Sequence, residues 1–253
     1  YLAKRGFSPA TMREFGFGYA PEGRQELGRA LARFEEPLLV EAGMRIAVEE
    51  RDPYDRFRDR LMLPIHDVRG RVIAFGGRIL TPKDGAPKYL NSPETPLFDK
   101  GRTLYNIHRA GPAARKSDRL VVVEGYMDVI ALANAGIAEG VAPLGTALTE
   151  NHIAELWRHV PCPILCFDGD AAGQRAVRRA IERALPLLKP GHSLKIAWLP
   201  AGLDPDDLIK AKGVAAFEQV LEKAQPLLEA LWTLEARAAP LDSPEAKAGL
   251  KAR

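Results

Sequence analysis

Arg119-Leu120-Val121-Val122-Val123-Glu124-Gly125-Tyr126-Met127-Asp128 is the stretch on which the reading of this chain depends. Four apolar residues in a row, followed at once by an acid and a glycine, predict a buried strand that ends abruptly. Strands covered on both faces of a parallel sheet read as such continuous runs, without alternation. Helical periodicity follows from Met127 to Ala135, with Gly136 as the stop. The same rhythm continues downstream. A second strand is expected near Gly140 to Pro143, and a helix over Thr149 to His159 with Thr149 as its N-cap. Ile164 to Phe167 reads as a third strand, Ala171 to Leu188 as a helix, and Ser193 to Trp198 as a fourth strand. Strand and helix in alternation predict an α/β chain with a four-stranded parallel sheet flanked by helices.

Residues 1–117 have a different texture, mixed and rich in turn formers. Leu61-Met62-Leu63-Pro64-Ile65 and Val72-Ile73-Ala74-Phe75 read as two strands of a hairpin, turned by Asp67-Val68-Arg69-Gly70. Gln25 to Phe34 and Leu38 to Ala42 look helical, giving a mixed α+β character. Ala110 to Asp118 is a polar, small-residue passage that suggests a subdomain boundary. After Pro200 an acidic loop leads into helices that run toward Arg253. The expected division is therefore 1–117, 118–212 and a truncated helical part, 213–253.

Composition narrows the class. The 253 residues are 46% hydrophobic, which argues against disorder, and no apolar run approaches the roughly eighteen residues of a membrane helix. No secretory leader is visible, and a start at Tyr1 without methionine suggests a piece of a longer polypeptide. The net charge of +3 is small enough to hide a basic face opposite an acidic one. The two cysteines, Cys162 and Cys166, flank a strand-like Pro163-Ile164-Leu165. That spacing puts them about 13 Å apart, beyond disulfide reach. Reduced thiols in a cytoplasmic protein are the expectation.

Acidic residues recur just past the carboxyl ends of the expected strands, where doubly wound sheets place their chemistry. Strand one runs into Glu124-Gly125-Tyr126-Met127-Asp128, strand three into Asp168-Gly169-Asp170, and strand four into Asp204-Pro205-Asp206-Asp207. Carboxylates gathered in a partly dry site repel one another, and no Lys, Arg or His lies inside these motifs to neutralise them. Hard oxygen ligands without sulfur or imidazole suit Mg²⁺ or Mn²⁺. Acids in such loops also cap helices, a role open to Asp128 and Asp170. In the first half, Arg78 follows the Gly76-Gly77 pair, whose backbone N–H groups suit phosphate. Lys88, Tyr89 and Asn91 offer charge, a stacking ring and an amide, a mix suited to single-stranded nucleic acid. Lys100 offers a further cation for nucleotide phosphates near the metal site. Arg56, Arg58 and Arg60 alternate, which an exposed strand face explains as well as a binding one does.

The Glu-Gly and Asp-x-Asp pair on a four-stranded parallel sheet resembles the TOPRIM fold shared by primases, topoisomerases and some nucleases. The ordered series is similar to the bacterial DNA primase family in particular. It comprises Val123-Glu124-Gly125-Tyr126-Met127-Asp128, Gly145-Thr146-Ala147-Leu148-Thr149, Phe167-Asp168-Gly169-Asp170-Ala171-Ala172-Gly173 and Asp204-Pro205-Asp206-Asp207. Tyr1-Leu2-Ala3-Lys4-Arg5-Gly6, Arg56-Phe57-Arg58-Asp59-Arg60, Phe75-Gly76-Gly77-Arg78, the segment from Pro87 to Thr95 and Phe98-Asp99-Lys100-Gly101 extend the likeness over essentially the whole chain. It is strongest at 54–110 and 120–175.

The resemblance implies template-directed synthesis of short RNA primers on single-stranded DNA from ribonucleoside triphosphates, by nucleotidyl transfer with two Mg²⁺ or Mn²⁺ ions. It assigns Glu124, Asp168 and Asp170 as catalytic metal ligands and Asp128, Asp204 and Asp206 as second-metal or outer groups. Arg5, Arg78, Lys88, Tyr89, Asn91 and Lys100 become the nucleotide and template contacts. It further implies no zinc site in this stretch, no membrane, and a replicative helicase as partner of the longer protein through a docking domain outside this chain. A TOPRIM topoisomerase, a TOPRIM nuclease and a non-catalytic single-strand binding module remain as rivals at this level.

Overall fold

The computed structural model describes residues 1–238. The first part of the chain contributes α1 (Pro9–Glu14), β1 (Gly18–Ala20), α2 (Glu26–Ala30), α3 (Glu36–Glu41), β2 (Arg45–Val48), β3 (Arg51–Asp55), β4 (Arg60–His66), β5 (Val72–Ile79) and β6 (Tyr89–Asn91). Among the described residues, β1-β4-β5-β6 form an antiparallel four-stranded sheet, with β2 and β3 as a separate ribbon. The expected hairpin is β4–β5. Its turn is held by Asp67, whose Oδ1 accepts from the backbone N–H of Arg69 and of Arg71. Gly70 supplies the left-handed residue that the turn needs, at φ +80°. The helix expected over Gln25 to Phe34 is shorter, Glu26–Ala30. Gly28 lowers helix propensity there, and the place needs it, because a Cβ would stand 2.0 Å from the Arg45 guanidinium.

The second part brings α4 (Ile107–Ser117), β7 (Val121–Val122), α5 (Tyr126–Asn134), β8 (Gly140–Val141), α6 (Glu150–Trp157), β9 (Ile164–Leu165), α7 (Ala171–Ala184), β10 (Lys195–Ile196), α8 (Pro205–Lys212), α9 (Val214–Glu222), β11 (Gln225–Pro226) and α10 (Leu227–Ala238). Their sheet has the order β11-β10-β9-β7-β8. The four expected strands are parallel, as read from the sequence. A fifth, β11, adds antiparallel at the edge; two residues carry too little periodicity to announce it. Successive residues of the β7 segment face opposite ways. Val121 and Val123 join a core with α5 and the first sheet, while Leu120 and Val122 join one with α4, α6, α7 and α10.

Two expectations are corrected here. Residues 110–117, read as a polar passage, belong to α4, which starts and stops on left-handed Asn106 and Asp118. Its small residues are there for packing: Ala110 and Ala114 are fully buried, and a Cβ on Gly111 would meet the His159 ring at 2.6 Å. The helix expected to reach Leu188 leaves α geometry at Ala184 and closes as a short 3₁₀ turn, Leu185–Leu187, because Pro186 lacks the N–H a longer helix requires. Thr149 caps α6 as expected, its side chain accepting from His152 N–H at 3.1 Å. Both cysteines are free. No described helix is long and apolar enough to cross a membrane. The end of the helical part, 239–253, lies outside the described residues.

Candidate active site

From β7 the chain moves one way to β8, then crosses back to β9 on the other side, so the order reverses between β7 and β9. At such a switch point the loops leave in opposite directions and open a crevice at the strands' carboxyl ends. Glu124 and Asp168 sit there, one after each strand. Glu124 Oε1 accepts the Asp168 N–H at 3.0 Å, which ties the two strand ends together.

The capping roles foreseen for the acids are present. Asp128 accepts the Gly125 N–H at 3.0 Å, and Asp170, the N-cap of α7, accepts the Gly173 N–H at 2.8 Å. Asp204 caps α8 through the Asp207 N–H at 2.7 Å. Each of these bonds engages one carboxylate oxygen and leaves the other uncommitted. Asp168 goes further: its buried Oδ1 has no hydrogen-bond partner among the described residues.

The electrostatics follow from burial and crowding. Burial, then the charges of Glu124, Asp204 and Asp170, push Asp168 up to about 7. Burial, then Asp168 and Asp204, push Asp128 up to about 8, against the Gly125 hydrogen bond. Glu124 is raised by burial and by Asp170, partly offset by the Asp168 N–H and by Arg179. Arg179 is a cation that the motif reading missed. It lies on α7, nine residues past Asp170, and only the fold brings it near Glu124. No three of the described His, Cys, Asp or Glu residues converge into a ready cage for one ion. The orphaned Asp168 oxygen and the mutual repulsion nonetheless make a donor set that suits a hard divalent cation.

A cleft of about 280 Å³ is lined by Glu124, Asp128, Asp168 and Asp204 together with Arg5, Lys88, Tyr89 and Asn91. Eight of the sequence-predicted residues therefore share one space, drawn from both sheets. Lys88 is exposed, with its ammonium 5.8 Å from the Tyr89 ring centre. Asp170, Arg78, Lys100 and Asp206 are not among the lining residues. Arg78 stacks its guanidinium 4.0 Å from the Tyr1 ring centre and donates to Ile79 O at 3.1 Å. Lys100 is half-buried, and its backbone N–H meets the Glu94 carboxylate.

Three further readings change with the structure. Asp206 is buried and ion-paired with Arg5 at 2.8 Å and with Lys210, so its charge is already balanced within the protein. Asn91 spends both ends of its amide, donating to Leu144 O at 2.8 Å and accepting from the Tyr126 hydroxyl. The alternating arginines serve the backbone. Arg56 donates to Asn91 O, Arg58 to Asp55 O, and buried Arg60 to Gly77 O and Pro87 O.

The Asp206 pairing has a testable consequence. Asp206→Asn is expected to cost about 2 kcal/mol, less than the roughly 3–5 of a fully buried pair because Arg5 stays partly wet. Thermal melting and Mn²⁺ titration check it: the melting temperature falls while metal affinity holds. Lost Mn²⁺ affinity at unchanged stability would return Asp206 to the ligand set.

Comparison with known proteins agrees with the fold of both parts. Residues 1–111 match the family model for the DNA primase catalytic core, N-terminal domain, and residues 118–197 match the Toprim domain model. The DNA primase of Neisseria meningitidis is 48% identical over 251 residues, covering 99% of this chain and 42% of that protein. This chain thus spans about two fifths of the length of the curated relatives it matches. The crystal structure of a DNA primase domain from Pseudomonas aeruginosa superposes with a TM-score of 0.92 at 47% identity, over 99% of this chain and 78% of that one. A DnaG primase catalytic domain bound to single-stranded DNA superposes at 0.89 with 44% identity, over 100% of this chain and 81% of that one. Two adjoining family matches, relatives at nearly half identity and a shared fold along the whole length make one conclusion plain: this chain belongs to the DnaG-type DNA primase family, as a catalytic core with a Toprim domain.

Proposed function

We propose that this chain carries the nucleotidyl-transfer centre of a DNA primase, joining ribonucleotides into a short RNA primer opposite a single-stranded DNA template. The carrying observation is the cleft itself, in which four carboxylates, one with an orphaned buried oxygen, face Lys88 and Arg5. Glu124, Asp168 and Asp170 are the residues to hold divalent metal, with Asp128 and Asp204 behind them. Bound Mg²⁺ or Mn²⁺ ions would lower the pKa of the attacking 3′-hydroxyl and stabilise the leaving pyrophosphate.

The chain's own groups do the rest. The Asp168 N–H holds Glu124 by Oε1 and keeps Oε2 available. The caps on Asp128, Asp170 and Asp204 fix those side chains against helix N-termini, so little rotamer freedom is lost on metal binding. Exposed Lys88 supplies charge for triphosphate or template phosphate, and Tyr89 offers a face for a base. Arg78 and Lys100, outside the cleft, are the further template contacts, in keeping with the single-stranded DNA held by one structural relative. We read 1–117, 118–212 and 213–253 as the working divisions, with β11 and α10 packed back onto the second sheet. The free thiols fit a reducing cytoplasm, and a replicative helicase is the partner this reading expects.

Labelled ribonucleotides on a single-stranded template with Mg²⁺ or Mn²⁺ test the reading. RNA products complementary to the template are expected. Template cleavage, strand passage, or binding without synthesis would hand the site to the nuclease, topoisomerase or binding-module alternatives. Lys88→Ala should weaken single-stranded DNA binding on every sequence and flatten the log–log salt dependence by about 0.7. A loss on one template sequence only would replace phosphate contact by base reading.

A further inference from the structure

Tyr126 stands inside the acidic motif yet carries no charge, and nothing in the chemistry above uses it. Its hydroxyl donates to Asn91 Oδ1, so the start of α5 reaches across to β6. Its ring lies edge-on to Tyr105, centres 4.8 Å apart at 87°, and 6.2 Å from Tyr89. Gly76, paired with Asn91 in the first sheet, leaves the space for the phenol: a Cβ there would stand 2.8 Å from the Tyr126 hydroxyl.

The orientation of Asn91 is settled by its partners. Leu144 O can only accept, so the amide nitrogen faces it at 2.8 Å, the oxygen faces Tyr126, and the phenol must be the donor. Asn91 is also held by its main chain, whose carbonyl accepts from Arg56. A planar amide and a packed phenol have few torsions between them. Together they make a stiff link from β6 to two points on the second sheet's rim, Tyr126 and Leu144. Tyr89 opens that strand two residues before Asn91, with Lys88 just ahead of it, and Glu124 and Asp128 flank Tyr126. All of them line one cleft.

We propose that Tyr126 and Asn91 are positioning residues: one hydrogen-bonded brace that sets the gap between the Lys88–Tyr89 segment and the carboxylates, and so the fit of the incoming nucleoside triphosphate. This rests on the nucleotidyl-transfer reading and deepens it. A nucleotide would have to touch both sides at once, its triphosphate reaching Lys88 on one and the carboxylates that would hold the metal on the other. Loosening the gap therefore weakens binding without removing any group that touches the nucleotide.

The test uses Tyr126→Phe, Asn91→Ala and the double variant, with three readouts: ATP affinity in Mn²⁺, KM and kcat on a primed template, and melting temperature. Tyr126→Phe keeps the ring packing and loses only the hydroxyl. Each single variant should raise Kd and KM for the nucleotide by about tenfold with kcat changed far less. Because both act through one brace, the double variant should be no worse than the worse single one. Effects that multiply in the double variant, or a lowered melting temperature with unaltered KM, would overturn the brace. A parent chain that binds no nucleotide would instead remove the functional reading beneath it.

Discussion

Asp168→Asn is expected to lower primer synthesis by about 10³-fold while leaving the metal-free protein as stable as before, or more so. Asp168 is the acid that Glu124, Asp204 and Asp170 all crowd, and its Oδ1 has no partner among the described residues. In the absence of a cation its ionised form is a liability to the fold; with a cation it becomes a ligand. The pH dependence follows from the same imbalance. Asp168 at about 7 and Asp128 at about 8 both lie above the unfolded carboxyl range near 4. The folded state thus holds more protons than the unfolded one across that interval, and its stability falls as pH rises. The contribution is fully present below about pH 4 and lost through pH 7–8. Melting in chelator from pH 5 to 8.5 should show this decline, Mn²⁺ should reverse it, and Asp168→Asn should flatten it. A variant that keeps its activity, or a parent protein whose metal-free stability rises over that range, would contradict the assignment.

The second large effect comes from a residue without a side chain. A Cβ on Gly169 would stand 2.0 Å from Pro200 O and 3.0 Å from Leu199 O, both backbone atoms that no rotamer change can move. The two loops are stitched together here: Gly169 N–H donates to Leu203 O and Gly202 N–H to Gly169 O, both at 3.0 Å. Gly169→Ala must therefore part the loop bearing Asp168 and Asp170 from the one bearing Asp204. Overpacking and two strained hydrogen bonds together should cost about 3 kcal/mol. For a chain of this size that lowers melting by roughly 6–12 °C. Displacing ligands by an ångström or so should cut activity about 100-fold. Melting curves and primer extension check both numbers, and wild-type values for either would mean that the loops part without consequence.

The run at Leu120–Val123, the β4–β5 hairpin with its Asp67–Gly70 turn and the Thr149 cap were all legible in the sequence. Each rests on interactions a few residues apart, which periodicity and turn chemistry record directly. The carboxylates at three strand ends were legible for a related reason: once strands alternate with helices, their carboxyl ends must share one edge of the sheet. The packing of α4 was not, because a helix lying close to its neighbours is built of Ala and Gly, and that composition also reads as a linker.

The alternating α/β order, the hairpin-bearing first part and the set of acids at one sheet edge follow from local patterning along the chain. How those groups are spent is a matter of long-range contact. It gives Asp206 to Arg5, 201 residues away in sequence, and so withdraws it from the free acids. It ties Asn91 to Tyr126 and Leu144, and brings Arg179 within range of Glu124. A residue's type states what bond it can make. Which partner it meets depends on strand order and on two sheets closing over a common core, and those long-range contacts leave no periodic trace in the chain.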